Sequence, residues 1–190
     1  MSEVERDGAW LGAEAARRLA SVGSVDIASG LTADEFVRAE SEFGFEFADD
    51  HRAFLAAGLT VGDTWPNWRL GKRGPLRALV ELPVDGVLFD VEWNGYWGEE
   101  WARRPARMKD ALRTARYRLA GVPRMVPIFG HRFLPAGSGS FGHPVLSMYR
   151  TDITCDADDL VHCIDNEFGP GPRRPSATRP TVEFWSDLLR

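Results

Sequence analysis

The spacing of apolar residues predicts a chain built from helices and a smaller number of strands. In several segments apolar side chains recur every three or four residues, which is the spacing of one face of a helix. The helices predicted in this way span residues 7–22, 32–43, 49–57, 106–121 and 158–168, with a further helical turn at 75–82. Proline at position 75 favours that turn, because proline suits the first position of a helix.

The second predicted helix is the most strongly specified element of the chain. Thr32 and Glu35 have the spacing of a capping box, in which each side chain accepts a hydrogen bond from a backbone N–H at the helix start. Leu31 and Phe36 have the spacing of a hydrophobic staple, and Gly44 is a typical residue after a helix end. The sequence therefore predicts both ends of this helix.

Glu40 is a charged residue within the apolar stripe of that helix, since it lies between Phe36 and Phe43. A buried carboxylate is costly unless it is hydrogen-bonded. We therefore expect Glu40 to accept backbone N–H bonds from the turn at 47–50.

Alternation of apolar and polar residues predicts a strand at Gly86–Trp93. Val87, Phe89, Val91 and Trp93 occupy every second position and are expected to form its core face.

Two further strand segments, 125–134 and 145–150, flank the glycine-rich sequence AGSGSFGH. This order favours an antiparallel pair joined by a long loop over a crossover connection. The glycine-rich segment lacks the lysine and hydroxyl residue of a P-loop, and a strand follows it where a phosphate-binding motif requires a helix. We interpret it as a hairpin loop.

These elements predict helices built onto a sheet with an antiparallel pair, in a single domain of residues 1–190. A length of 190 residues suits one domain with a substantial core. Residues 169–180 are rich in proline and are expected to form a tether. The segment 181–190 is expected to dock back on the body through its apolar side chains, which are Phe184, Trp185 and Leu188.

Composition argues against disorder and against a membrane protein. Hydrophobic residues make up 44% and charged residues 27% of the chain, as in ordinary globular proteins. No apolar run reaches the roughly 18 residues of a membrane span, and the acidic N-terminal segment does not resemble a signal peptide. We therefore expect a cytoplasmic protein. Cys155 and Cys163 have no metal-binding or redox spacing and are expected to be reduced.

Charge is unevenly distributed, although the net charge is only −5. Residues 34–50 contain seven acids and one base, residues 152–167 contain six acids and no Lys or Arg, and residues 103–118 contain seven bases and one acid. One interpretation is that these are solvated faces that neutralise one another. The other is an acidic face that binds a basic protein. The acidic net charge argues against nucleic acid as the partner of the basic segment.

No catalytic arrangement is indicated by the residues. The serines lack a nucleophile context, and the cysteines lack a neighbouring cation. His131 and His143 could form a metal site with a nearby carboxylate. Alternation, however, places His131 on an apolar strand face, which favours a buried, hydrogen-bonded histidine. His51 and His162 are expected to face solvent. We predict no catalytic residue, no metal and no cofactor.

Two loops are unusually rich in aromatic residues. The aromatic residues of these loops are Trp65 and Trp68 in the first, and Trp93, Tyr96, Trp97 and Trp101 in and before the second. Such residues are enriched at binding hot spots, but they can equally close the core of an α+β domain. The candidate partner-binding residues are Trp93, Tyr96, Trp97, Asp152, Asp156, Asp158 and Asp159.

The order of motifs is specific enough for comparison with a known family. The motifs are a capped helix containing Glu40, a helix with Phe54-Leu55, Trp-Pro-x-Trp at 65–68, GVLFDVEWNGYW, VPRMVPIFGHRFLP, GHPVLSMYRTDI and DDL. This order, over residues 31–168, resembles the SUKH superfamily, which contains bacterial immunity proteins of polymorphic toxin systems and a fungal regulator of cell-wall synthesis. It is similar in particular to an actinobacterial branch without assigned function. The chain departs from the family pattern at Ala48, where proline is frequent, and at 154–157, where an aromatic and glycine run is usual.

The resemblance implies an α+β fold, in which helices pack against a mainly antiparallel sheet. It also implies no cofactor, no catalytic residues, and a function in which the sheet or its rim masks a toxin, often a nuclease. The expected function is therefore a non-catalytic protein-binding domain, an immunity protein with a basic toxin domain as its partner. Two alternatives follow from the residues themselves. One is a small-ligand or carbohydrate-binding module that uses the tryptophan loops, and the other is an enzyme that uses His131 and His143.

Overall fold

The computed structural model describes residues 7–69, 73–177 and 182–189. Within these ranges the helices are α1 (Gly8–Val22), α2 (Ala33–Phe43), α3 (Asp49–Ala57), α4 (Arg73–Trp93), α5 (Met108–Leu119) and α6 (Leu160–Phe168), with a 3-10 helix at Trp185–Leu188. The strands are β1 (Asp26–Ala28), β2 (Leu59–Val61), β3 (Met125–Phe129), β4 (Arg132–Pro135), β5 (Val145–Tyr149) and β6 (Asp152–Ala157). The predicted α+β class is confirmed. None of the helices in the described residues is both long and apolar enough to cross a membrane.

A four-stranded antiparallel sheet of order β3-β4-β5-β6 is the centre of the fold, and β1 and β2 form a separate two-stranded sheet. The segment predicted as one strand, 125–134, is instead a hairpin, because Gly130 turns the chain between β3 and β4 with a φ of 54°. The predicted antiparallel pairing across the glycine-rich loop is confirmed, since Phe133 in β4 lies opposite Leu146 in β5.

Both faces of the four-stranded sheet are covered. Phe133 and Leu146 belong to one hydrophobic cluster, while their chain neighbours Leu134 and Val145 belong to another. The first cluster combines the sheet with α1, α2, α3 and α6, and the second combines it with α4, α5 and the C-terminal segment. Because helices lie on both faces, every residue of β3 and β4 is buried. These strands are apolar apart from Arg132, which forms ion pairs with Asp156 and Glu167.

The prediction for α2 is confirmed at both ends. The hydroxyl of Thr32 accepts a hydrogen bond from the N–H of Glu35 at 3.3 Å, and the carboxylate of Glu35 accepts one from the N–H of Thr32 at 2.8 Å. Leu31 and Phe36 are both buried, and Gly44 ends the helix with a φ of 69°. The predicted helices α1, α3, α5 and α6 are also present, with ends within two residues of the predicted ones.

The strand predicted at Gly86–Trp93 is wrong, because this segment is the C-terminal part of α4. Val87 and Val91 are fully buried in the second cluster, as expected for residues four apart on one helix face. Phe89 and Trp93, which the alternating pattern placed in the core, are exposed on the opposite face. Apolar residues at positions 87 and 91 fit both the two-residue repeat of a strand and the spacing of one helix face. The apolar pattern alone therefore favoured the wrong element.

The C-terminal segment packs on the body over its described residues 182–189. Trp185 is 1% exposed, and its indole N–H donates to the carbonyl oxygen of Pro123 at 2.8 Å. Phe184 and Leu188 pack around the same cluster. The segment therefore supplies part of the second core.

The edge strand β6 is covered by the chain that follows it. Asn166 in α6 exchanges two hydrogen bonds with the backbone of Arg174, which holds the beginning of the predicted tether against the body. Residues 178–180 of that tether lie outside the described residues. Further along the chain, Leu189 pairs with Ile153 of β6 in a parallel bridge. These contacts cover parts of an edge that would otherwise offer unpaired backbone groups.

The predicted bond of Glu40 is confirmed. The N–H of Phe47 donates to the Glu40 carboxylate at 3.2 Å, and the guanidinium of Arg52 forms an ion pair with the same oxygen at 2.7 Å. The side chain of Glu40 is 17% exposed, so its carboxylate needs these donors to offset its partial burial. Glu40 therefore ties α2 to the turn before α3 and to α3 itself.

We expect Glu40→Gln to cost about 1 kcal/mol of the free energy of unfolding, because the amide oxygen still accepts from Phe47 while the ion pair is lost. Glu40→Leu is expected to cost at least about 2 kcal/mol, because it also leaves that N–H without an acceptor. Urea denaturation at neutral pH measures both values, with the exposed Glu46→Gln as control. A leucine variant as stable as the glutamine variant would contradict this role.

Candidate partner-binding surface

The residues predicted to bind a partner lie in two separate places. One group, at the junction of α4 with the β5–β6 turn, comprises Trp93, Tyr96 and Asp152. The other group, at the opposite end of β6, comprises Asp156, Asp158 and Asp159. Six residues of extended chain separate Asp152 from Asp158, which corresponds to about 20 Å. The four aspartates are therefore not one compact group.

Trp97 is turned toward the protein interior. It is half-buried, its ring contacts Trp101 edge to face with centroids 5.1 Å apart, and its indole N–H donates to the carbonyl oxygen of Ala102 at 2.8 Å. Trp65 and Trp68 of the first aromatic loop are buried in the first cluster. For these residues the core interpretation is the one that the fold supports.

The carboxylates at the far end of β6 are bonded within the chain. Asp156 accepts hydrogen bonds from Arg132 at 2.6 Å and Arg173 at 2.8 Å. Asp158 accepts from the hydroxyl of Ser176 at 2.5 Å. Asp159 is the N-cap of α6 and accepts from the first turn of that helix. These three side chains thus fix α6 and the stretch 173–176 that follows it, whatever they add to the surface charge.

An exposed aromatic cluster lies at the other group. We define the aromatic patch as Phe89 and Trp93 of α4 together with Tyr149 and Arg150 at the end of β5. Phe89 is 40%, Trp93 68% and Tyr149 64% exposed. The rings of Phe89 and Trp93 are 6.4 Å apart, and the guanidinium carbon of Arg150 lies 4.0 Å from the centre of the Phe89 ring and 5.3 Å from that of Tyr149.

The patch depends on close contact between α4 and the β5–β6 turn. A Cβ atom on Gly86 would lie 2.8 Å from the Cα of Arg150, so only glycine allows the helix to come this near. One turn later, Asp90 accepts hydrogen bonds from the backbone and hydroxyl of Thr151 at 3.0 and 2.6 Å and from Asn94 at 2.6 Å. Burial alone would raise the pKa of Asp90, but these bonds outweigh it and the pKa is lowered. The charged carboxylate of Asp90 therefore joins α4 to the β5–β6 turn beneath the patch.

Arg150 has an unusual backbone conformation. It is the first of the two residues that connect β5 to β6, and its φ is 59°. This left-handed conformation favours glycine or asparagine, and it costs a larger residue about 1 kcal/mol. Nothing in the geometry of the turn requires an arginine at this position.

An open groove of about 500 Å³ lies beside the patch. The residues that line it are Asp90, Asn94, Gly95, Tyr96, Tyr149, Arg150, Thr151 and Asp152. Burial raises the pKa of Tyr96, with smaller contributions from the carboxylates of Asp187 and Glu99, so its hydroxyl stays protonated. The groove thus combines aromatic surface, hydrogen-bond donors and both signs of charge.

Sequence reasoning missed three members of this surface, Phe89, Tyr149 and Arg150. A helical interpretation of 84–93 would have placed Phe89 and Trp93 together on the exposed side, because they are four residues apart. The position of Arg150 follows only from the contact between α4 and the turn, which no local pattern encodes.

The acidic and basic segments differ in how they are paired. Within the acidic run 34–50, Glu35 pairs with Arg69 at 2.6 Å and Glu40 with Arg52 at 2.7 Å. The basic run 103–118 presents mostly exposed side chains along α5, and its one acid, Asp110, pairs with Arg113 at 3.0 Å. The acidic run is therefore partly neutralised by bases elsewhere in the chain.

The predictions made for the exposure of three histidines are all wrong. His51 is 1% and His162 9% exposed, although both were expected to face solvent, and His131 is exposed although it was expected in the core. His131 lies in the β3–β4 turn and not on a strand face, which explains the difference. The described residues contain no cluster of three or more His, Cys, Asp or Glu side chains that could hold a metal ion.

His51 is buried without hydrogen bonds. Neither ring nitrogen has a partner among the described residues, and the ring contacts Phe47 edge to face with centroids 5.2 Å apart. Burial lowers the pKa of His51 to about 3, so the ring is neutral near pH 7.

The glycine-rich loop is held by the start of α3. The N–H of Gly139 donates to Asp49 at 3.0 Å, and the N–H of Gly142 donates to the buried carboxylate of Asp50 at 2.9 Å. Carboxylates thus occupy backbone donors that a phosphate-binding loop would offer to its ligand. The hairpin-loop interpretation fits this arrangement.

Both cysteines are free thiols. Burial raises the pKa of Cys163 to about 12, and burial also raises the pKa of Cys155, with Asp158 and Asp156 adding to it. Neither side chain is therefore an activated nucleophile.

Comparison of the chain with protein-family models, with curated proteins and with solved structures finds no significant match.

Proposed function

We propose that this protein is a non-catalytic protein-binding domain and that the aromatic patch is its binding surface. The observation that carries the proposal is the exposure of Phe89, Trp93 and Tyr149 around Arg150, on elements fixed by Gly86 and Asp90. Trp, Tyr and Arg are the residues most enriched among those that dominate binding energy. A contiguous exposed apolar surface of this kind is typical of an interaction site.

The resemblance to the SUKH superfamily supports a more specific form of the proposal, in which the partner is a toxin and the protein is its immunity protein. The toxin would be masked by contact, and neither Cys155 nor Cys163 is an activated nucleophile. The acidic net charge of −5 would favour association with a basic toxin domain, such as that of a nuclease.

Capture of partners from the native host tests the surface. We expect a partner that is retained by the natural chain and lost with Trp93→Ser, because truncation of a hot-spot tryptophan costs at least about 2 kcal/mol, or about thirtyfold in affinity. The matched control is Tyr117→Ser on α5, since Tyr117 is an aromatic residue outside the patch that is even more exposed (79%) than Trp93 (68%). Identical capture by all three chains would contradict the proposal.

Co-expression tests the immunity role separately. If the captured protein is a toxin, its production in a heterologous host should arrest growth, and the natural chain should restore growth while Trp93→Ser does not. A partner that is harmless to cells would leave the protein-binding function standing and refute the toxin assignment.

A further inference from the structure

We propose that the aromatic patch recognises an aspartate or glutamate side chain of the partner, which is bound by the guanidinium of Arg150 beside an apolar side chain packed on Phe89, Trp93 and Tyr149. The inference rests on the proposed function and names the chemical group by which the partner is bound.

The guanidinium of Arg150 is oriented by two aromatic rings, and its positive charge helps to lower the pKa of Asp90. It is held over the Phe89 ring at 4.0 Å and lies 5.3 Å from the centre of the Tyr149 ring. Among residues 7–69, 73–177 and 182–189, no side chain or backbone group forms a hydrogen bond or ion pair with it. A stacked guanidinium keeps its N–H groups at the edge of the plane, in the fork that matches the two oxygens of a carboxylate.

The backbone of Arg150 supports a role outside the fold. With a φ of 59° the position favours glycine. The side chain forms no hydrogen bond with the described chain, and its interactions are with the Phe89 and Tyr149 rings and the charge of Asp90. Strained residues of this kind are concentrated at binding sites. An arginine kept under strain at an exposed turn is therefore best explained by a group that it binds in another molecule.

The charge around the groove favours a carboxylate over a phosphate. Asp90 lines the same groove as Arg150, and its negative charge disfavours a doubly charged phosphate more than a singly charged carboxylate. The Asp90 carboxylate already accepts bonds from Thr151 and Asn94, so it does not compete strongly for Arg150. A single carboxylate beside an apolar side chain suits one guanidinium next to exposed rings.

Two matched peptides test this recognition, acetyl-Phe-Glu-amide and acetyl-Phe-Gln-amide, which differ only in the charge of one side chain. Binding is followed by NMR through the Nε–Hε signal of Arg150 and the indole signal of Trp93. For the natural chain we expect the glutamate peptide to bind about fivefold more tightly than the glutamine peptide, as for one charge-assisted pair at a partly exposed site. Arg150→Lys should reduce that ratio to about two, because charge remains but the fork is lost.

Arg150→Gly is the decisive variant, since the backbone conformation suits glycine. Its peptide ratio should fall to about one, while its thermal midpoint is no lower than that of the natural chain. The control Arg107→Lys, at an exposed arginine before α5, should keep the fivefold ratio.

The outcomes separate this inference from the proposed function. If both peptides bind equally to the natural chain and both are weakened by Trp93→Ser, the patch is a binding surface and the carboxylate inference is wrong. A third peptide, acetyl-Phe-Gln with a free terminal carboxylate, tests whether a side-chain carboxylate is required. The inference is wrong if this peptide binds as tightly as the glutamate peptide. It is also wrong if neither matched peptide binds. Partner capture judges the proposed function independently of these results.

Discussion

Replacing His51 with leucine is expected to flatten the dependence of stability on pH below neutrality. Burial lowers the pKa of His51 in the folded protein to about 3, whereas an unfolded chain has the ordinary value of about 6.5. At a pH below about 6.5 the histidine of the unfolded chain binds a proton, whereas the buried ring of the folded protein does not. The free energy of unfolding therefore falls as the pH decreases, by about 1.4 kcal/mol per pH unit, until the folded protein is also protonated near pH 3. Between neutral pH and pH 5 the loss amounts to about 2 kcal/mol.

Urea denaturation of the natural chain and of His51→Leu at several pH values from 5 to 8 measures this contribution. Carboxylates with lowered pKa values, such as Glu14 and Glu35, are present in both chains, so the difference between the two curves isolates His51. His131→Gln serves as the control, because His131 is exposed and its replacement should leave the natural slope intact. Parallel curves for the natural chain and His51→Leu would show that the buried ring does not resist protonation.

Trp185→Ala is expected to destabilise the protein by about 3 to 5 kcal/mol, the range for deleting a fully buried large aromatic side chain. The indole is 1% exposed in the second cluster, and its N–H bond to Pro123 is lost as well. A domain of ordinary stability has about 5 to 15 kcal/mol in total. The variant therefore loses a large part of its stability, although Trp185 lies near the C-terminal end of the sequence.

Two further tryptophan substitutions serve as comparisons for Trp185→Ala. Trp185→Phe keeps most of the apolar contact and removes the hydrogen bond, so we expect a cost of about 1 to 2 kcal/mol. Trp93→Ala removes the same side chain from an exposed site and should change the free energy of unfolding by less than about 0.5 kcal/mol. If Trp185→Ala were as stable as Trp93→Ala, the C-terminal segment would not belong to the cooperative fold.

Sequence signals that act over a few residues predicted most of the helices correctly. The capping box of Thr32 and Glu35 and the bond from Phe47 to Glu40 depend on short-range geometry, and both are present. The α4 helix was misjudged, because Pro83 and Gly86 both disfavour a helix interior and the apolar residues fit two periods. Packing against the sheet and α5 decides in favour of the helix, which agrees with the general dominance of tertiary contacts over propensity.

The candidate site was predicted less completely than the fold. Trp93 and Tyr96 were found from aromatic composition, but Arg150 joins them only through the contact of two segments about sixty residues apart in the chain. The aspartates at the end of β6 looked like an open acidic surface because the sequence does not reveal that Arg132 and Arg173 fold onto Asp156. Pairing between distant charges is a property of the topology and cannot be obtained from local counts.

The outer residues of the aromatic patch and the residues beneath them differ in how much a substitution costs the fold. Phe89, Trp93 and Tyr149 project from the surface, so exchanging one of them changes the stability by only a few tenths of a kcal/mol. Gly86 and Asp90, by contrast, hold the helix and the turn together and leave little freedom for substitution. Selection for a new partner can therefore change the outer residues one at a time, while the frame that presents them stays the same.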